Sequence, residues 1–384
     1  VRFILFLFVF LSIYGGLHIY AFLKIKQALT FGTGAAVSLA AFMAGMIVAP
    51  VLIRISERQG FEFLARALAY LGYAWMALIF FFVSVALVLD IFRLIVHIGG
   101  RFVPVDLSGL VPGARPSVAI CILLAVILTA YGAFEAFDIR MVHVTVPTDK
   151  IPISIGRFKI VQISDVHLGL IVGESRLAKI LNLVTAADPD ILVSTGDLVD
   201  GQMDNLSGLL KLFRKVSPKY GKFAITGNHE FYAGLARSLE FIEKAGFIVL
   251  RGEGLNIAGL LTIVGIDDVT AKPDGIETEI SEKALLSSFP REIFTLLLKH
   301  RPTVAKDTPG LFDLQLSGHT HKGQIFPFSL VTKLFYPNLA GLFKLEQNSR
   351  LYVSRGSGTW GPPVRFLAPP EVTLIELVHK PVSK

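Results

Sequence analysis

Cysteine is nearly absent: the only one, Cys121, lies in an apolar run, so no intrachain disulfide can form and thiolate zinc sites are excluded. Charge is also scarce, at 17% of residues. The net +7 divides into +4 over residues 1–137 (9 basic, 5 acidic) and +3 over residues 138–384 (28 basic, 25 acidic). Neither part is basic enough to argue for nucleic acid as a partner. What takes the place of charge is hydrocarbon. Hydrophobic residues make up 53% of the 384, and the mean hydropathy of +0.61 is too apolar for an ordinary soluble protein. Part of the chain therefore belongs in a lipid bilayer.

Four long apolar stretches occupy the first third, at residues 3–23, 33–53, 67–89 and 118–134. Roughly 20 helical residues cross a hydrocarbon core of about 30 Å. The spacing predicts four transmembrane helices in an all-α membrane domain covering residues 1–137. Lys24 and Lys26 follow the first stretch, and Arg54, Glu57 and Arg58 the second, where side chains reach the headgroups. The first stretch is read as a retained anchor, since its apolar run outlasts a signal peptide's core and no clean small-x-small cleavage pattern follows. Small residues gather from Gly32 to Gly45 and predict close packing of the second helix against a neighbour. Four spans put both chain ends on one side. The excess of Lys and Arg near the span ends there predicts a cytoplasmic C-terminal domain on a multi-pass inner or plasma membrane protein.

From residue 138 to 384 the pattern is that of a globular α/β domain. Residues 141–146 alternate like a strand. Short apolar runs at 158–163, 191–194, 222–226, 261–266, 293–298, 311–316, 351–354 and 372–377 read as further strands. Helical spacing at 175–187, 203–215, 234–245 and 279–287 alternates with the first half of these. Such alternation predicts a layered sheet covered by helices.

Polar motifs stand just beyond five of the strands. They are Ser164-Asp-Val-His167, Gly196-Asp-Leu-Val-Asp200, Gly227-Asn-His-Glu230, the lone His300 and Gly318-His-Thr-His-Lys-Gly323. Loops beyond the carboxyl ends of strands line the functional crevice in sheets of this kind, so five strand ends can deliver these residues to one place. Histidine, aspartate and asparagine in these proportions suit a two-metal hydrolytic site. A Gly-Asp or Gly-Asn pair alone is more often a turn, and the set is what carries the reading. His18, His97, His143 and His379 have no such company and are read as structural or interfacial. Asp267 and Asp268 match no ligand position and are assigned to a turn or loop.

The motifs in this order, Asp-x-His, Gly-Asp-x-x-Asp, Gly-Asn-His-Glu, a lone His and Gly-His-x-His, resemble those of the calcineurin-like metallophosphoesterase family over residues 150–380. Within it the chain looks most like the bacterial membrane-associated branch, through Gly318-His-Thr-His-Lys-Gly-Gln-Ile325 and Ser354-Arg-Gly-Ser-Gly-Thr-Trp-Gly361. The resemblance implies an α/β domain built as a four-layer sheet sandwich with helices outside. It further implies that Asp165, His167 and His321 bind one divalent metal and Asn228, His300 and His319 a second, with Asp197 bridging both. Asp200 resembles the carboxylate that orients His229.

The chemistry of these residue types agrees. A carboxylate between two divalent cations holds them about 3.5 to 4 Å apart, a spacing that clamps the attacking and leaving oxygens of an in-line displacement at phosphorus. Oxygen and imidazole ligands together suit Mn, Fe or Zn over Mg or Ca. His229, beside Asn228, stands at the site's edge, where an imidazole can protonate a leaving oxygen and so be catalytic. After the last motif, residues 325–343 are rich in large apolar side chains. Exposed beside a crevice they would be costly unless covered by a membrane or an acyl chain; the other reading is a satellite core against the tail strands. The sequence thus predicts a membrane-anchored hydrolase of a phosphodiester or pyrophosphate bond, with a lipid-linked substrate as the first choice. Two alternatives stay open: a phosphodiesterase acting on a soluble nucleotide with the membrane part only as anchor, and a non-hydrolytic metal- or nucleotide-binding sensor.

Overall fold

The apolar stretches form long helices in the computed structural model, which describes residues 2–102, 106–201, 207–271 and 281–380. They are α1 (Arg2–Ala28), α2 (Thr33–Arg58), α3 (Glu62–Gly99) and α4 (Ala114–Phe137), all long and apolar enough to cross a membrane. Each outruns its apolar stretch, α3 most, at 38 residues. Small residues bring α2 and α3 together: a Cβ added to Gly72 would lie 3.0 Å from the Cβ of Ala49. Polar ties join the helices as well. Asp90 of α3 accepts from Tyr20 Oη and Lys24 Nζ of α1, both at 2.6 Å, and Arg93 reaches Ser117 Oγ of α4 at 2.5 Å. His18, expected to have no ligand role, accepts from Trp75 Nε1 at 2.8 Å. Ionisable groups are tolerated among apolar helices when paired in this way. The chain divides into two compact units, Val1–Phe134 with Gly361–Val364, and Glu135–Trp360 with Arg365–Lys384.

The second unit contains two six-stranded sheets. The first has the order β1 (Arg140–Thr148), β12 (Glu371–His379), β2 (Arg157–Ile163), β3 (Ile191–Ser194), β4 (Lys222–Ala224) and β5 (Phe247–Val249). The second has the order β10 (Gly341–Lys344), β11 (Arg350–Val353), β9 (Leu314–Ser317), β8 (Phe294–Lys299), β7 (Leu261–Ile266) and β6 (Glu253–Ile257). Strands β2 to β5 are mutually parallel, as are β7, β8, β9 and β11; β12 runs antiparallel to β2 and parallel to β1, and β6 and β10 add antiparallel edges to the second sheet. Parallel strands point their carboxyl ends one way, so the loops after β2, β3 and β4 share one edge of the first sheet. Those after β8 and β9 share one edge of the second.

Side chains alternate across each sheet and give it two buried faces. Ile160, Val193 and Phe223 of the first sheet meet Leu261, Ile263, Leu296 and Leu316 of the second in a central core. On the outer face of the first, Val161, Ile163 and Leu192 pack with Leu177 and Ile180 of α5 (Glu174–Ala187), Phe213 of α6 (Ser207–Arg214) and Phe241 of α8 (Leu235–Lys244). On the outer face of the second, Val264 and Leu297 pack with Leu286 of α9 (Glu282–Ser287). Helix, sheet, sheet, helix is the four-layer sandwich.

Some elements differ from the sequence pattern. β5 and β10 are too short to show a period, and β6 is an edge strand with only Ile257 buried. The helix expected at 203–215 is seen from Ser207, and residues 202–206 lie outside the described residues. Within residues 325–343, weighed above as a satellite core, Ile325 is buried. Those residues include α10 (Phe328–Phe335), which has no buried residue.

Candidate metal centre

Asp165 and His167 follow β2, and Asp197 and Asp200 follow β3. Asn228 and His229 open α7 (Asn228–Ala233) just past β4, His300 ends β8's run, and His319 and His321 follow β9. The two sheets bring these loops together around Asp197. Its Oδ1 accepts the backbone N–H of His229 at 2.8 Å, while Oδ2 lies 3.2 Å from His300 Nε2 and 3.8 Å from His167 Nε2. His167 Nε2 faces His321 Nε2 at 3.1 Å, and His300 Nε2 faces His319 Nδ1 at the same 3.1 Å. His321 Nε2 is 3.5 Å from Asp165 Oδ1. The ligand atoms of Asp165, His167 and His321 lie within 4.8 Å of one another, and so do those of Asp197, His300 and His319. His229 Nδ1 stands 2.6 Å from Asp200 Oδ1.

This donor set fits a pair of divalent cations. Imidazole nitrogens face one another in two groups, one of which includes Asp197, and Asp197 Oδ2 lies 3.8 Å from His167 Nε2 of the other. Among the described residues the buried Asn228 Oδ1 has no hydrogen-bond partner, and a buried acceptor without one is costly. His300 Nδ1 donates to the carbonyl of Thr195 at 2.8 Å, which turns Nε2 toward Asp197.

The backbone is bent to this purpose. Asp165, His167, Asp197, His319 and His321 all have positive φ, between 47° and 70°. Left-handed backbone costs a non-glycine residue about 1–3 kcal/mol, so its concentration here marks a rim where side-chain direction outranks local comfort. Two glycines make room. A Cβ on Gly227 would overlap Asp197 Oδ1, and one on Gly318 would overlap Ser164 Oγ and Asp165 Oδ2.

Burial pushes His319 down to about 3, with the positive His300 and Arg301 beside it, and pushes His321 well below the ordinary imidazole value, with Arg365 beside it. Both rings stay neutral, the form that binds a cation. Burial also disfavours charge on His300 and His229, yet Asp197 outweighs it and raises them to about 10 and about 9. The Asp165 carboxyl is raised by burial, whereas for Asp197 the imidazoles of His300 and His229 outweigh burial and hold it well below the usual range. Asp200 is likewise held low, by His167 and His229.

Two residues were missed as functional. Glu230 accepts the backbone N–H groups of Asp197 at 3.0 Å, Leu198 at 2.7 Å and Gly227 at 2.7 Å, which fixes the loop carrying Asp197. Its signal lay in the last letter of Gly-Asn-His-Glu. Arg365 is fully buried and donates from Nη2 to His321 Nδ1 at 2.9 Å and from Nη1 to the carbonyls of Arg355 at 2.7 Å and His321 at 3.1 Å. Its signal was a single charge within the apolar residues 362–370. Aromatic rings edge the site: Trp360 and Tyr232 meet His229, and Tyr336 meets His319. Asp267 and Asp268 pair instead with Arg251 and Arg301.

Residues 158–323 match the calcineurin-like phosphoesterase family. An Aquifex aeolicus protein named as an uncharacterized metallophosphoesterase is 39% identical over 67% of this chain and 98% of its own length. A Danio rerio protein, described as a transmembrane protein with metallophosphoesterase domain, is 30% identical over 69% of this chain and 63% of its own length. The chain thus spans less than two thirds of that second relative. Among solved structures, a dimetal phosphatase from Danio rerio aligns at 13% identity and a TM-score of 0.37, over 52% of this chain and 88% of that one. Matched over nearly the whole length of the Aquifex aeolicus relative, the chain belongs to the calcineurin-like metallophosphoesterase family.

Proposed function

We propose that the chain is a membrane-anchored phosphoesterase that uses two divalent cations, Mn, Fe or Zn, to hydrolyse a phosphodiester or pyrophosphate bond in a lipid-linked molecule. Family membership supports metal-dependent phosphoester hydrolysis. Four membrane-length helices, more than a tether requires, favour a substrate that itself resides in the bilayer. One observation carries the reading: Asp197 Oδ2 stands between His300 Nε2 at 3.2 Å and His167 Nε2 at 3.8 Å, each of which faces another imidazole.

Asp165, His167 and His321 would hold one cation and Asn228, His300 and His319 the other, with Asp197 shared. Such a pair supplies Lewis acidity, lowering the pKa of water and neutralising charge that builds at phosphorus. His229 protonates the leaving oxygen. Its Nδ1 is turned to Asp200, which leaves Nε2 to carry the departing proton. Asp200 orients that ring and Glu230 holds the Asp197 loop. A sensor that only binds metal has no use for such a proton donor, so the His229–Asp200 pair speaks for chemistry. The basic residues near the span ends favour a catalytic domain on the cytoplasmic side.

The test is metal analysis combined with turnover. Full-length protein in detergent should bind two Mn per chain and release phosphate or nucleotide from a panel of monoesters, diesters and lipid pyrophosphates. Asp197→Asn should abolish that release. Equal turnover by the wild type and Asp197→Asn would overturn the reading.

A further inference from the structure

The segment after the last two histidines is dressed for a different solvent from the rest of the domain. In α10, Leu330 is 59% exposed, Leu334 80% and Phe335 74%. Phe326 before it and Leu342 after it are exposed as well. Apolar surface gathered in one place on a folded domain marks a contact with something apolar. The charge pattern narrows the choice. From Gln324 to Leu345 there is no Asp or Glu, while Lys333 and Lys344 stand exposed among the apolar side chains. An apolar helix whose own segment carries lysines and no carboxylate complements an anionic lipid surface, with hydrocarbon for Leu and Phe and headgroups for Lys. The chain also keeps a bilayer at hand: α4 ends at Phe137 and β1 begins at Arg140, so two residues link the last span to the first strand.

We propose that residues 326–344 dock the catalytic unit on an anionic bilayer surface, with Leu330, Leu334 and Phe335 inserted among the acyl chains. The segment is joined to the metal site. The Tyr336 ring meets the His319 ring at 5.2 Å, and Thr320 Oγ1 donates to the carbonyl of Leu339 at 2.7 Å. On the other side, Gly323 lies too close to Ser329 to admit a Cβ. A docked α10 therefore holds the His319 and His321 loop at the lipid surface, where phosphate esters of lipids lie. That consequence rests on the phosphoesterase reading; the docking itself does not.

Fluorescence separates the two. In the full-length chain, Cys121→Ala removes the lone thiol, and Leu334→Cys then carries an environment-sensitive label, with Glu240→Cys on α8 as an exposed reference. In vesicles of phosphatidylcholine and phosphatidylglycerol, the label at position 334 should shift to shorter wavelength and lose about half its emission to doxyl-labelled acyl chains, while the reference does neither. A blue shift without doxyl quenching would mean that a protein surface covers α10 and would overturn the proposal, as would no shift at all. In the second arm, Leu334→Glu with Phe335→Glu should lower turnover of a vesicle-embedded phosphate ester about tenfold and leave bis(p-nitrophenyl) phosphate hydrolysis unchanged. Equal loss on both substrates would count against docking. If the wild type hydrolyses neither, the phosphoesterase reading fails and the quenching still decides the docking.

Discussion

Arg365 Nη2 donates to His321 Nδ1 at 2.9 Å. A guanidinium cannot accept, so the neutral ring carries its hydrogen on Nε2, the atom that faces His167 Nε2 at 3.1 Å and Asp165 Oδ1 at 3.5 Å. A cation that takes this nitrogen must expel the hydrogen or turn the ring away from Arg365. Cation loading should therefore release protons. Calorimetric titration of the metal-free protein with Mn, in buffers of different ionisation enthalpy, reads this directly: the observed heat should scale with the buffer's enthalpy. Heat independent of buffer would show that no proton leaves, the ring having turned from Arg365 or met the cation with Nε2 already bare.

Glu230 acts on the site through the backbone. It is fully buried, and its carboxylate takes the N–H groups of Asp197, Leu198 and Gly227. Glu230→Gln keeps the size but sets an NH2 group against one of those donors, so the Asp197 loop must shift. Cation affinity should fall about 10–100-fold, measured by Mn titration, with the circular dichroism of the chain unchanged. Unaltered affinity would reduce Glu230 to a packing group.

The strands that carry the site were legible because residues 158–163 and 191–194 are apolar runs long enough to be buried strands, each followed by a polar motif. Edge strand β6 was not, since only Ile257 of its five residues is buried and no apolar run marks it. The residue set was legible from its letters, but the bent backbone of Asp165, His167 and His319 was not, because Asp and His, though enriched at positive φ, adopt it in only a small share of cases. Arg365 lies 44 residues beyond His321, and only the tertiary fold makes them neighbours. For residues 325–343 the composition was plain and the environment was not: an apolar run reads the same whether it packs inward or, as α10 does, faces outward.

Acid should reveal a second ion pair outside the ligand set. Asp268 is 4% exposed and accepts from Arg301 Nε at 2.7 Å and Nη2 at 3.1 Å. Burial favours its neutral form, but Arg301, His300 and Thr270 outweigh this and hold the carboxyl below the usual value. A lowered folded pKa contributes stability that is complete above the unfolded value of about 3.9 and is lost as pH falls through the folded value. Asp268→Asn should accordingly be less stable than the wild type at neutral pH, and its Tm should fall less steeply between about pH 5 and pH 2. Parallel Tm profiles would show that the pair adds nothing pH-dependent.

Crowding at the rim can be tested at Gly227, whose φ of −103° any residue can adopt, so the objection to a side chain there is space alone. Its Cβ would overlap Asp197 Oδ1, the oxygen that accepts the His229 N–H. Gly227→Ala must therefore push Asp197 aside or lift the first turn of α7, and either motion displaces Asn228 and His229. Overpacking of this kind costs about 1–3 kcal/mol, which a domain with this much buried core can absorb while the site is disturbed. The expected outcome is a folded chain with fewer than two Mn retained, counted by elemental analysis. Gly173→Ala is the control, since among the described residues nothing lies within 4 Å of a Cβ there and its φ of −106° is also ordinary. If Gly227→Ala holds its cations as well as Gly173→Ala does, Asp197 is not as tightly walled as the structure requires.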